Sequence, residues 1–124
     1  MRRALLATAL IGLLTAGCSR PHHAPVETDP AKIAARALAM QPTDPKLAGL
    51  YSTSCRACHG TPGSGAPLAG DHGAWDARWD KGLPALMRSI VSGKNGMPAG
   101  GQCFACTPGD YKALVRFMAD EPEH

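Results

Sequence analysis

The densest reactive chemistry in the chain lies in Cys55-Arg56-Ala57-Cys58-His59. Two cysteines three positions apart at a helix end carry two sulfurs to one side, with an imidazole directly behind them. That spacing suits thioether bonds to the two vinyl groups of a haem, with the histidine nitrogen aimed at the iron. The same thiols could be half of a zinc site, but zinc would need Cys103 and Cys106 to complete four thiolates. A thioredoxin-like pair would need a strand–helix–strand setting, and no such pattern surrounds the motif.

A haem that only passes electrons takes a second axial ligand. The candidates are Met40, Met87, Met97, Met118 and His72. Met87 and Met118 fall on apolar helix faces, where packing is the usual role of methionine. Met40 precedes the haem helix, and His72 stands at a helix start. Met97 lies in Asn95-Gly96-Met97-Pro98-Ala99-Gly100-Gly101. Glycines on both sides let such a loop approach a flat macrocycle closely, so Met97 is the favoured ligand. Cys103 and Cys106 read as a catalytic dithiol, a metal half-site or a structural bridge.

These groups need helices to position them. Asp29-Pro30 and Asp44-Pro45 are helix starts, each a capping side chain before a first-turn proline. The first opens an alanine-rich helix, Ala31 to Met40. The second opens a helix whose Leu47, Leu50 and Tyr51 form one face running toward Cys55. Gly60 to Gly70, with four glycines and two prolines, must be loop. Asp71 caps a helix with Trp75 and Trp79 on one face. Leu83, Leu86, Met87, Ile90 and Val91 fit a helical stripe that Gly93 closes. Residues 93–106 are loop. Thr107-Pro108-Gly109-Asp110 reads as a capping box, followed by an amphipathic helix with Tyr111, Leu114, Val115 and Met118. No alternating strand pattern is present, so the expected class is all-α.

Composition constrains the rest. The 124 residues are 44% hydrophobic with a formal charge of +3. Residues 18–124, however, contain only 7 Leu, 2 Ile, 3 Val and 2 Phe. That is below the roughly one-fifth level expected of a folded chain, so a cofactor or staple must supply the missing apolar bulk. Two large domains, a membrane-spanning bundle and a nucleic-acid binder driven by positive charge are all disfavoured. Lys46, Arg56, Asp71, Arg78 and Lys94 are mixed in sign and point to no particular partner.

Residues 1–17 read as an export signal: Arg2 and Arg3, an apolar run from Ala4 to Leu14, then small residues. Thr15-Ala16-Gly17-Cys18 reads as a lipobox, with Cys18 lipidated as the mature N-terminus. Ser19 then favours an outer membrane, and the protein is placed on the periplasmic side, where disulfides persist. Residues 18–28 form a tether in which His22 and His23 are solvated. Residues 29–43 form an N-terminal helix and linker, 44–120 the main domain and 121–124 a tail.

Leu47 to Met118 resembles a class I cytochrome c, specifically its small bacterial cytochrome c-five branch. The likeness rests on Cys55 to Gly60, Gly65-Ala66-Pro67, Gly70-Asp71, Trp75 and Arg78. Gly96-Met97-Pro98, Gly100-Gly101, Cys103-Phe104-Ala105-Cys106 and the last helix carry the rest. The resemblance implies one haem c attached through Cys55 and Cys58, with His59 proximal and Met97 distal. It implies a Cys103–Cys106 disulfide and a Pro67 carbonyl that orients His59. It further implies a one-electron carrier between respiratory donors and terminal oxidases or reductases, not an enzyme. The rivals are a haem-bearing subunit of a larger complex and a haem enzyme with an open distal site.

Overall fold

The computed structural model describes residues 25–121. The export segment, Cys18, most of the tether with His22 and His23, and residues 122–124 lie outside them. The described chain is helical. Helix α1 is Pro30–Ala39, α2 Pro45–Leu50 and α3 Arg56–His59, with a π-helical turn, Tyr51–Cys55, joining the last two. Helix α4 is His72–Trp79, α5 Leu83–Ser92 and α6 Pro108–Ala119, with a 3₁₀ turn at Ala99–Gln102 before α6.

The helix starts follow from short polar side chains that satisfy otherwise orphaned amides. Asp29 accepts from the Ala31 amide, Asp44 from Leu47 and Asp71 from Ala74. At α6 the capping box is complete. Thr107 Oγ1 accepts from the Asp110 amide at 3.2 Å, and the Asp110 carboxylate accepts from the Thr107 amide at 2.9 Å. Helix α5 has no side-chain cap; Gly82 turns the chain into it with φ 79°.

The core gathers Tyr51, Ala69, Trp75, Leu86, Ile90, Leu114, Val115, Met118 and Ala119. Tyr51 meets Phe117 edge to face with ring centroids 5.0 Å apart. Trp79, expected beside Trp75, is half-buried, and the Arg116 guanidinium stands 5.4 Å from its ring centroid.

Three expectations need correction. Helix α1 ends at Ala39, and Met40 is its cap in extended backbone. Val91 does not join the buried stripe of α5: it is 61% exposed, at the edge of a shallow groove with Leu83, Met87 and Lys112. Only Leu86 and Ile90 of that helix are buried, because a five-position stripe is wider than the surface α6 offers it. Residues 93–106 are not plain loop. Lys94 and Met97 exchange both backbone hydrogen bonds at 2.9 Å around Asn95-Gly96, and the 3₁₀ turn follows.

Candidate functional site

Cys55 closes the π-helical turn, and Cys58 and His59 sit on α3. The wide turn places one extra residue between Tyr51, which is fully buried, and the motif. Both cysteines are unbonded, Cys55 half-buried and Cys58 exposed. Burial pushes the Cys55 thiol up to about 11, so it is neutral before any bond is made.

His59 is nearly buried, and its Nδ1 donates to the Pro67 carbonyl at 2.8 Å. A carbonyl only accepts, so the ring proton is on Nδ1 and the lone pair is left on Nε2. Burial lowers the imidazole's pKa from 6.5, with Arg78 adding to the shift and the Pro67 bond opposing it. The ring is therefore neutral at neutral pH, the state a metal requires.

The segment holding that carbonyl is engaged at four successive residues. Pro67 accepts from His59 and Leu68 accepts from Trp75 Nε1 at 2.8 Å. The Ala69 amide donates to the His59 carbonyl at 2.7 Å, and the Gly70 amide donates to Met118 at 2.8 Å. The sequence suggested the Pro67 contact only through the resemblance. The Leu68, Ala69 and Gly70 bonds carry no local signal, because they join segments distant along the chain.

A cavity of about 720 Å³ opens beside these groups, within the range of roughly 300–1,000 Å³ typical of cofactor sites. Cys55, Cys58, His59, Pro67, Met97, Trp75 and Leu114 are among its walls. Of the proposed second ligands, Met97 and Met118 line it; Met40, Met87 and His72 do not. Met118 belongs to the packed core on α6. His72 instead lies 3.2 Å from both Asp76 and Asp120 oxygens. Arg78, Lys81, Arg88 and Lys94 also line the cavity and no acidic side chain does, so the charges that looked mixed along the sequence are segregated in space.

Met97 is held by its own loop. Gly93, with φ 76°, comes so near that a Cβ there would stand 2.8 Å from the Met97 carbonyl oxygen. Gly101, also left-handed, leaves the Met97 methyl 3.2 Å from where its Cβ would be. The Asn95-Gly96 pair between the bridged residues was a readable hairpin signal that the loop assignment passed over. Downstream, Cys103 and Cys106 are joined sulfur to sulfur, with Cα atoms 5.4 Å apart. Those thiols are not arranged with Cys55 and Cys58: among the described residues no three His, Cys, Asp or Glu side chains cluster as a metal site.

Two free thiols, a neutral imidazole and a thioether on one large cavity are the donor set that a covalent haem requires. Comparison with known proteins agrees. A family profile described as cytochrome c oxidase, cbb3-type, subunit III matches residues 42–118. Cytochrome c5 of Azotobacter vinelandii is 42% identical over 67 residues, covering 52% of this chain and 81% of that protein. Cytochrome c5 of Ectopseudomonas mendocina is 37% identical over 72 residues, covering 56% and 83%. A solved cytochrome c in an electron-transfer complex with nitrite reductase has TM-score 0.55 at 33% identity, covering 64% of this chain and 96% of that one. A mono-haem ferrocytochrome c from Shewanella putrefaciens has TM-score 0.55 at 37% identity, covering 61% and 94%. The chain belongs to the cytochrome c family, as a small class I electron-transfer protein with one haem c bound covalently at Cys55 and Cys58.

Proposed function

We propose that the protein is a one-electron carrier whose haem iron is held by His59 and Met97. The observation that carries this is the pairing of a fixed imidazole tautomer with a glycine-held methionine on the same cavity. The haem supplies the one-electron redox couple. The chain's own residues do the rest. Pro67 fixes the His59 ring, and the hairpin turn and the left-handed Gly100 and Gly101 hold the Met97 segment. Trp75, Leu114 and Val115 keep water from the macrocycle. A thioether ligand favours the reduced state relative to a second imidazole and so raises the potential.

On this reading the carrier works in the periplasm, with Cys18 as lipid anchor, residues 18–28 as tether and 44–120 as the cytochrome domain. An outer-membrane site follows from Ser19. The Cys103–Cys106 bridge stiffens the segment between Met97 and α6. The partners are respiratory donors and terminal oxidases or reductases, and the nitrite reductase complex of a similar cytochrome supports a reductase among them. Four cations around the cavity suit an acidic docking face.

The optical spectrum of the oxidised protein tests the ligation. A methionine-to-iron charge-transfer band, lost in Met97→Ala and kept in Met87→Ala, is the expected result. A high-spin spectrum in the unmodified protein would overturn it and restore the open-site enzyme. The mass of the mature protein from membranes reports covalent haem, lipid on Cys18 and the oxidation state of Cys103 and Cys106 together. A second reading, a permanent subunit of a larger complex, is favoured by the oxidase-subunit family match. Co-purification with a membrane oxidase would favour that subunit.

A further inference from the structure

Helix α1 precedes the region that the family match covers, yet it reaches the proximal side of the site. Its attachment is narrow. Ala37 is fully buried, and the Leu38 carbonyl accepts from Arg56 Nη2 at 2.8 Å. Arg36 pairs with Asp120 Oδ2, the same oxygen that lies 3.2 Å from His72 Nε2. Asp120 caps α6 with left-handed backbone at φ 58°.

The other end of the attachment is Gly70. With φ 74°, it lies so close under α1 that a Cβ would stand 2.6 Å from Met40 Sδ and 2.7 Å from Arg36 Nε. Gly70 closes the segment that begins at the Pro67 carbonyl, the acceptor for His59. Arg36 thus touches both fixed ends of one path: the end of α6 through Asp120, and the segment that orients the imidazole through Gly70.

We infer that Arg36 on α1 is a positioning residue for the proximal histidine, bracing residues 67–70 so that the Pro67 carbonyl stays on His59 Nδ1. The consequence is electronic as well as mechanical. A strong hydrogen bond from a metal-bound imidazole raises its basicity, which favours the oxidised iron. Loosening the brace weakens that bond and shifts the potential upward. The inference rests on His59 as the iron ligand, and the charge-transfer band of the unmodified protein checks that separately.

The test uses the full haem protein with Arg36→Ala and Asp120→Gly. Glycine fits the left-handed cap, so Asp120→Gly removes the acceptor of Arg36 while keeping the end of α6 intact. Both variants are expected to raise the reduction potential, by a twofold to tenfold change in the reduction equilibrium (tenfold is about 59 mV for one electron). In the reduced protein, the His59 Nδ1 proton is expected to exchange faster with solvent in both. A potential and an exchange rate unchanged in both variants, with only the melting temperature lowered, would overturn the inference and leave α1 a stabilising strap. If the unmodified protein lacks the His/Met spectrum, the ligand reading fails instead.

Discussion

The Tyr111 hydroxyl lies 2.9 Å from the Gly100 carbonyl oxygen and 2.9 Å from that of Cys103, one proton shared between two acceptors. It ties the first turn of α6 to the 3₁₀ turn just after Met97. Three consecutive residues there, Gly100, Gly101 and Gln102, have left-handed φ values, so the turn has little regular hydrogen bonding of its own. Tyr111→Phe should cost about 0.5–1.5 kcal/mol of stability. Its more specific effect should be on Met97. Imidazole should displace the methionine from oxidised iron several-fold more readily, which a titration of the charge-transfer band measures. Unchanged displacement would mean that the glycines alone hold the loop.

Changing Cys103 and Cys106 together to Ser should leave haem attached and loosen Met97 in the same assay. The bridge closes a loop of only a few residues, so its effect on global stability is modest by chain entropy. Mass spectrometry checks the first expectation, and complete loss of covalent haem would show that the bridge acts during maturation.

Tyr51 presents a different opportunity. Its side chain is fully buried, and its hydroxyl has no hydrogen-bond partner among the described residues. A buried, unsatisfied hydroxyl costs about 1–3 kcal/mol. Tyr51→Phe keeps the edge-to-face contact with Phe117 and removes that cost, so the denaturant midpoint should rise. A midpoint that falls would show that the hydroxyl is satisfied in solution.

Acid stability should depend on Asp110. Two Lys46 contacts at 2.7 and 2.9 Å, then the Thr107 amide and hydroxyl, lower its pKa from 3.8 to about 2. A depressed folded value means this contribution is fully present above the unfolded pKa and is lost as pH falls through about 2. Asp110→Asn should therefore flatten the stability profile between about pH 4 and about pH 2. Equilibrium unfolding across that interval measures the slope. An unchanged slope would assign the acid transition to other carboxylates.

The site was more legible in the sequence than its supports. Cys55, Cys58 and His59 are contiguous, so their chemistry is written locally, and Asp44, Asp71 and Thr107 announce their helices one residue ahead. Met97 could be singled out because glycine and proline mark a loop. Arg36 could not: nothing near it in sequence shows that Asp120, 84 positions later, is its partner. The clustering of Arg78, Lys81, Arg88 and Lys94 was hidden for the same reason, since charge along a chain says nothing about which face it reaches. Val91 failed for a subtler cause, because periodicity defines a stripe but not the width of what covers it.

The π-helical turn at Tyr51–Cys55 has a consequence for how this chain tolerates length changes. One added residue in a helix advances everything beyond it by about 100° of rotation. The attachment motif faces the cavity only because that extra step has been taken, while Tyr51 stays locked in the core behind it. Removing any one residue from 52–54 would therefore act as a rotation more than a shortening. It would restore an ordinary helix, and it would swing Cys55 and Cys58 out of phase with the wall they share with Met97.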